Sequence, residues 1–189
     1  MRFYVMYAET CVEDYVMPGE VIHTLIKGCY TSEFQYLDKA LLKVEISDEG
    51  GLEFPDFIIC DNCIPLVSER FYQLMRCSGV DNLFYKPIKL TCTKLGLIES
   101  YWLALPPRIN CLDFEYLIKS GHLECENIDD IPAWQLNCEA SEIKLIENNV
   151  GNYQIFKLAG VSNQEIIVND ALKETFEKAS LDNVYFKEV

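Results

Sequence analysis

Histidine is scarce in this chain, with two residues in 189, and 16 lysines and arginines face 30 acids. Each shortage excludes something. A Ser–His or Cys–His nucleophile needs an imidazole base, which leaves only His23 and His122. His23 lies among Val21, Ile22 and Leu25, the setting of a half-buried structural histidine. His122 follows Gly121 in a polar stretch and is expected to be exposed. No G-x-S-x-G nucleophile elbow occurs. Nor does a GxxxxGK[ST] or GxGxxG phosphate loop. The deficit of cations gives a formal charge of −14, which argues against free DNA or RNA as a partner. No run approaches 18 uncharged apolar residues, so no membrane span is expected. The apolar run in Met1–Glu9 is too short for a signal peptide.

Hydrophobic residues, by contrast, make up half the chain, with ten Phe, eleven Tyr and two Trp. That suffices for a packed interior and excludes disorder. The length fits one domain, 1–189, with two similar halves meeting near 113–142 as the nearest thing to a seam. Nine cysteines, at 11, 29, 60, 63, 77, 92, 111, 125 and 138, are expected to be reduced thiols in a cytoplasmic protein. Cys60 and Cys63 form a CxxC. A zinc site would need a second pair, and only Cys77 and Cys92 are near. Both fall in helix and strand patterns, so neither a metal nor another cofactor is expected.

The clearest feature is a repeat. Shifted by 101 positions, Val67 falls on Val168, Asp81 on Asp182, Asn82 on Asn183 and Lys86 on Lys187, without a gap. In the first copy Ile64–Val67 is an apolar strand. Ser68 is a helix cap and Glu69 suits the first turn. Phe71, Leu74 and Met75 share one helix face, and Gly79 is a stop. Asp81-Asn82 is turn chemistry before the β-prone Leu83–Ile88. In the second copy Asn169 or Asp170 caps, Leu172, Phe176 and Ala179 face inward, and Ser180 stands in the place of Gly79. The expected fold class is α+β, with mixed or antiparallel sheets, few helices and two strand–helix–strand units at about 64–88 and 165–189.

Elsewhere Phe3–Ala8, Ala40–Ile46, Lys89–Leu97 and Tyr101–Leu105 read as strands. Thr31–Leu42 has helical spacing as well. Pro18-Gly19 reads as a turn, and Ile143–Leu158 as a β-hairpin. From Asp113 to Glu142 eight acids meet one lysine, a local charge of −7, in a stretch expected to be loop-rich. Within it Glu124, Glu126, Asp129, Asp130 and Trp134 are the candidate partner-binding residues. The acids offer complementary charge to a basic partner, and the tryptophan an anchor. In a chain this acidic, such carboxylates also read simply as a solvated face.

Ile64-Pro65-Leu66-Val67-Ser68-Glu69-Arg70-Phe71 and Asn82-Leu83-Phe84-Tyr85-Lys86-Pro87-Ile88 together resemble the eleventh immunity-protein family of bacterial polymorphic toxin systems. The likeness continues through Tyr101-Trp102-Leu103, Arg108–Asp113, Ile155–Leu158 and Ile166–Val168, and covers about Phe54–Val189. Asn169 and Cys111 depart from the pattern. The resemblance implies an α+β immunity protein that binds and neutralises the effector domain of a cognate toxin, with no catalytic residues. Two alternatives remain. One is a metal-dependent or thiol enzyme using the acids of 113–142 or Cys60/Cys63. The other is a homo-oligomeric scaffold joined through strand edges.

Overall fold

The computed structural model describes residues 1–10, 12–23, 42–47, 49–60, 64–92, 94–125, 138–162 and 165–189. In chain order the elements are β1 (Phe3–Tyr7), β2 (Pro18–His23), β3 (Leu42–Ile46), β4 (Phe57–Cys60), β5 (Ile64–Val67), α1 (Glu69–Cys77), β6 (Phe84–Cys92), β7 (Leu97–Leu105) and β8 (Arg108–Ile109). They continue with α2 (Phe114–Ser120), β9 (Leu123–Cys125), β10 (Cys138–Ala140), α3 (Glu147–Val150), β11 (Ile155–Leu158), β12 (Ile166–Asn169), α4 (Asp170–Ala179) and β13 (Tyr185–Glu188). The fold class is α+β, as expected.

The chain divides into two compact units. Met1–Met6, Pro106–Lys173 and Phe186–Val189 form one; Tyr7–Leu105 and Glu174–Tyr185 form the other. The second unit carries a six-stranded sheet, ordered β2-β3-β6-β7-β5-β4. All its pairings are antiparallel except β3 with β6. Alternation along the strands puts Val44, Ile46, Ile58, Leu66, Ile88, Leu90, Tyr101, Leu103 and Leu105 into one core cluster. Phe57 stacks on Phe71 of α1 at 5.9 Å between ring centroids, and Phe71 meets Phe176 of α4 at 4.7 Å. Phe57 and Phe71 are wholly buried, so truncating Phe71 to alanine costs about 3–5 kcal/mol. Pro87 is tolerated in the middle of β6 because β3 pairs only with Lys89–Thr91. The other unit is built on the sheet β13-β1-β12-β11-β8, with a core of Phe3, Leu117, Val150, Phe156, Leu158 and Ile167 among others.

The repeat is real and reaches further than the sequence showed. Ser68 Oγ accepts from Phe71 N at 3.1 Å; 101 residues on, Asn169 Oδ1 accepts from Leu172 N at 2.9 Å. Gly79 (φ 76°) and Ser180 (φ 49°) hold the same left-handed stop. Ser68 N donates to Asp56 O, as Asn169 N does to Gln154 O. The sheets match too: β4-β5-β7-β6 in one has the order of β11-β12-β1-β13 in the other. Val67 pairs with Trp102, and Val168 with Tyr4, so β1 takes the part of β7. Trp102 Nε1 donates to Glu69 Oε2 at 2.5 Å, and the Tyr4 hydroxyl donates to Asp170 Oδ1 at 3.2 Å. Tyr72 lies between Trp102 (4.1 Å) and Tyr85 (4.8 Å). One repeat later Lys173 Nζ lies 5.0 Å from the Tyr4 ring and 5.7 Å from that of Phe186.

Three local expectations fail. Pro18-Gly19 opens β2 instead of turning, because a strand's first residue at the sheet edge needs no donor. The described part of the acidic stretch is not loop-rich. Asp113 caps α2 through Tyr116 N at 2.9 Å, Gly121 ends it at φ 74°, and β9 and β10 follow. Nor do residues 143–158 make a hairpin. Leu145 makes a bridge only to Leu112, Glu147–Val150 is one helical turn, and β11 pairs with β12 and β8. Thr31–Leu41 lies outside the described residues, while Leu42–Ile46 is a strand as the alternation implies.

Candidate functional site

The acidic stretch becomes a two-stranded ribbon. Antiparallel register sets Glu124 of β9 directly opposite Glu139 of β10, and both are exposed. Like charges facing each other across a pair of strands are unfavourable. Among the described residues neither carboxylate makes an ion pair, so the repulsion is left uncompensated. Glu126, Asp129, Asp130 and Trp134 lie outside the described residues. Of the five candidate contact residues, therefore, only Glu124 has a place in the structure. Its partner Glu139 went unmarked because three-residue strands leave no periodic signal.

Beside the ribbon, His122 is not a free surface residue. Its Nδ1 lies 3.1 Å from Ser141 Oγ, and its Nε2 lies 3.2 Å from Glu142 Oε2. The Tyr116 hydroxyl donates to Glu142 Oε1 at 3.4 Å. The imidazole is exposed, as its polar setting implies, and β9–β10 pairing also carries Ser141 and Glu142 back to it. Hydroxyl, imidazole and carboxylate in sequence are the parts of a nucleophile relay. Here the setting works against it. His122 and Glu142 are each 41% exposed, so water screens the charges that such a relay must concentrate. The Ser141 N–H, a natural oxyanion donor, is already given to His122 O at 3.0 Å. The cluster staples the ribbon to the end of α2.

Most of the described cysteines are buried. Cys60 and Cys92 are buried in strands and Cys77 is exposed at the end of α1, and none of the three is in a disulfide. Cys63 lies outside the described residues. Burial pushes the Cys111 thiol up to about 11, the opposite of a reactive thiolate. Cys138, however, is disulfide-bonded, so the expectation of uniformly reduced thiols fails there. Its backbone stands opposite Cys125 in the ribbon, a register that sequence spacing cannot reveal. Among the described residues no group of three or more His, Cys, Asp or Glu is placed to hold a metal. No described helix is long and apolar enough to cross a membrane.

Asp56 is a tightly held carboxylate of the six-stranded unit, with its side chain 8% exposed. It accepts from Ser68 Oγ (2.5 Å), Arg70 Nη1 (2.9 Å) and Asp182 N (3.0 Å). Arg70 goes on to the carbonyls of Ala179 and Ser180 at the end of α4. The carboxylate thus ties the start of one helix to the stop of the other. Both of its oxygens are engaged by the protein itself, which marks a structural hub.

The same unit holds a cleft of about 660 Å³. Val16, Met17, Pro55 and Ile58 give it apolar walls, with Glu9, Tyr15 and Asn183 at polar positions. Asn183, at φ 60°, fixes one side of the rim: its Oδ1 accepts from Glu9 N, and its Nδ2 donates to Glu9 O and Phe57 O. The repeat made Asn183 visible in the sequence, but only as turn chemistry.

In comparison with known proteins, the model of the Immunity protein family (Imm11) matches residues 13–189. That reaches about forty residues further toward the N-terminus than the resemblance read from the motifs. A search of curated protein sequences returns no match.

Proposed function

Because the chain belongs to the Imm11 immunity protein family, we propose that it binds the effector domain of a cognate toxin and neutralises it by occupying its working surface, with no chemistry of its own. The family match over residues 13–189 is the observation that carries this reading. Three features support it. The −14 charge suits a partner with a basic surface, such as one that must engage nucleic acid or another polyanion. The Glu124–Glu139 pair keeps two like charges together at a cost to the fold, which a basic partner would offset. Among the described residues, the His122 imidazole is screened by water and burial keeps the Cys111 thiol protonated.

In this reading the Asp113–Glu142 stretch steers the toxin toward the complex and forms part of the contact, with Glu126, Asp129, Asp130 and Trp134 adding charge and an anchor. Electrostatic steering raises the association rate and fades with salt. The protein acts where the toxin would otherwise damage its own producer, in the cytoplasm. The test is to co-express the chain with the toxin encoded beside it. Restored growth and a co-eluting complex are expected. Failure of both with a folded protein would refute the reading.

A further inference from the structure

The 660 Å³ cleft combines apolar walls with a single charged lining residue, Glu9. Its walls are Val16, Met17, Pro18, Pro55 and Ile58. The wall that contains Val16 and Met17 is closely backed by the chain at Gly50 and Gly51. A Cβ at Gly50 would come within 2.6 Å of Met17 N, and one at Gly51 within 2.0 Å of Asp14 O, so the backbone is packed against these two glycines. Gly51 N donates to Tyr15 O (2.8 Å) and Val16 N to Glu53 O (2.9 Å). On the other side the Asn183 side chain clamps the Glu9 backbone. Concave apolar walls with a few fixed polar groups are what a binding site requires.

The polar side chains that line the cleft are Glu9, Thr10, Tyr15, Ser47 and Asn183, of which Glu9 alone carries a charge. The Tyr15 phenol is raised above its ordinary pKa by burial first, then by the charge of Asp182, the Tyr185 ring oxygen, and the charges of Glu53 and Asp14. Tyr185 in turn lies against Tyr7, with ring centroids 5.7 Å apart, and both rings are partly exposed. Glu9, Asp14, Glu53 and Asp182 are exposed, and among the described residues none of the four makes an ion pair. A lysine or arginine side chain satisfies both halves of this site. Its methylene stem lies along apolar walls while its charge meets carboxylates and ring faces.

We propose that this cleft receives a lysine- or arginine-bearing loop of the partner protein, with the cation seated beside Glu9 and Tyr15, and Asp182 next to the lining residue Asn183 adding its charge from outside the cleft. The proposal rests on the neutralisation reading only in naming the toxin as the source of that loop; the chemistry of the cleft is independent of it.

The experiment uses the full chain in two arms. In the first, backbone amide shifts are followed while acetyl-lysine methylamide, acetyl-arginine methylamide or the neutral acetyl-norleucine methylamide is added. Saturable shifts at Tyr15, Val16, Ile58 and Asn183 are expected with the two cations. Their affinity should be at least about fivefold that of the neutral probe and should fall by a similar factor in E9Q/D182N. Both substituted carboxylates are exposed and bond nothing through their side chains, so the variant should fold; an unchanged unfolding midpoint checks this. Equal shifts with the neutral probe, shifts spread evenly to Glu124 and Glu139, or no effect of E9Q/D182N would each overturn the proposal. In the second arm, binding of the neighbouring toxin is compared between the wild-type chain and E9Q/D182N. Loss of at least about fivefold in affinity supports the toxin as the source. Equal binding removes the cleft from the complex while leaving neutralisation intact. A toxin that binds neither protein refutes the neutralisation reading, and the first arm then still decides the chemistry of the cleft.

Discussion

Asp56→Ala should be among the most damaging single polar substitutions in this protein, and the structure says how the loss divides. The carboxylate is nearly sealed from water, at 8% side-chain exposure, and holds three donors. Asp182 N–H loses a charged acceptor, worth about 1.5–3 kcal/mol. Ser68 keeps its role as acceptor for Phe71 N and can turn its hydroxyl to solvent, so its share is about 1 kcal/mol. Arg70 is 55% exposed and keeps its bonds to Ala179 O and Ser180 O, so its pairing adds no more than about 1 kcal/mol. The loss should total roughly 3–5 kcal/mol, the usual cost of stripping one partner from a buried charged cluster. Asp56→Asn, which keeps an acceptor but not the charge, should lose about half of that. Urea unfolding followed by Trp102 fluorescence measures it, with the slope unchanged. A double-mutant cycle with Arg70→Met should give a coupling below about 1 kcal/mol. A loss under about 1 kcal/mol for Asp56→Ala would refute the hub. A coupling above about 2 kcal/mol would show that the ion pair, and not the Asp182 N–H bond, holds it together.

Four other outcomes test separate links. Ser68→Ala and Asn169→Ala should each cost about 1 kcal/mol, since both side chains close the same helix start; urea unfolding of the two variants checks that they match. Ser180→Gly should stabilise by up to about 1 kcal/mol and Gly79→Ala should destabilise by about as much, because both positions are left-handed and Gly79 has open space around it; thermal unfolding reads both signs. The Cys111 thiol holds its proton more firmly folded than unfolded, up to about 11, so its contribution is complete below its ordinary value and is lost as pH rises toward 11. Cys111→Ala should therefore flatten the alkaline limb of a stability–pH profile by about one proton, and an unchanged slope would show that the thiol titrates normally. Glu139→Gln should raise stability by a few tenths of a kcal/mol while slowing association with the toxin at low salt, a trade that stopped-flow mixing and urea unfolding together can detect.

The repeat was legible because its parts are local. A cap, an apolar face at helical spacing and a stop all lie within a few residues of each other, and Ser68, Phe71, Met75 and Gly79 stand where their types require. The acidic ribbon was not legible, because Glu124 and Glu139 are brought together by pairing across an intervening stretch whose length carries no period. The failed hairpin at 143–158 has the same origin. Ile143–Ile146 has strand composition, but the position beside β11 goes to β12 and β8, whose backbones satisfy both its edges.

Sequence alone determined the α+β class, both helix starts and the sign of the charge, since propensity, capping and titration state are properties of neighbouring atoms or of composition. Only the tertiary structure decided that β1 stands in the second copy where β7 stands in the first, that Tyr4 answers Trp102, and that Glu9 and Tyr15 share a cleft with Asn183. These residues are separated by up to 174 positions, as Glu9 and Asn183 are. No local preference reaches that far. What selects the partner is the competition among strand edges and apolar faces for burial, which is resolved only when the whole chain packs.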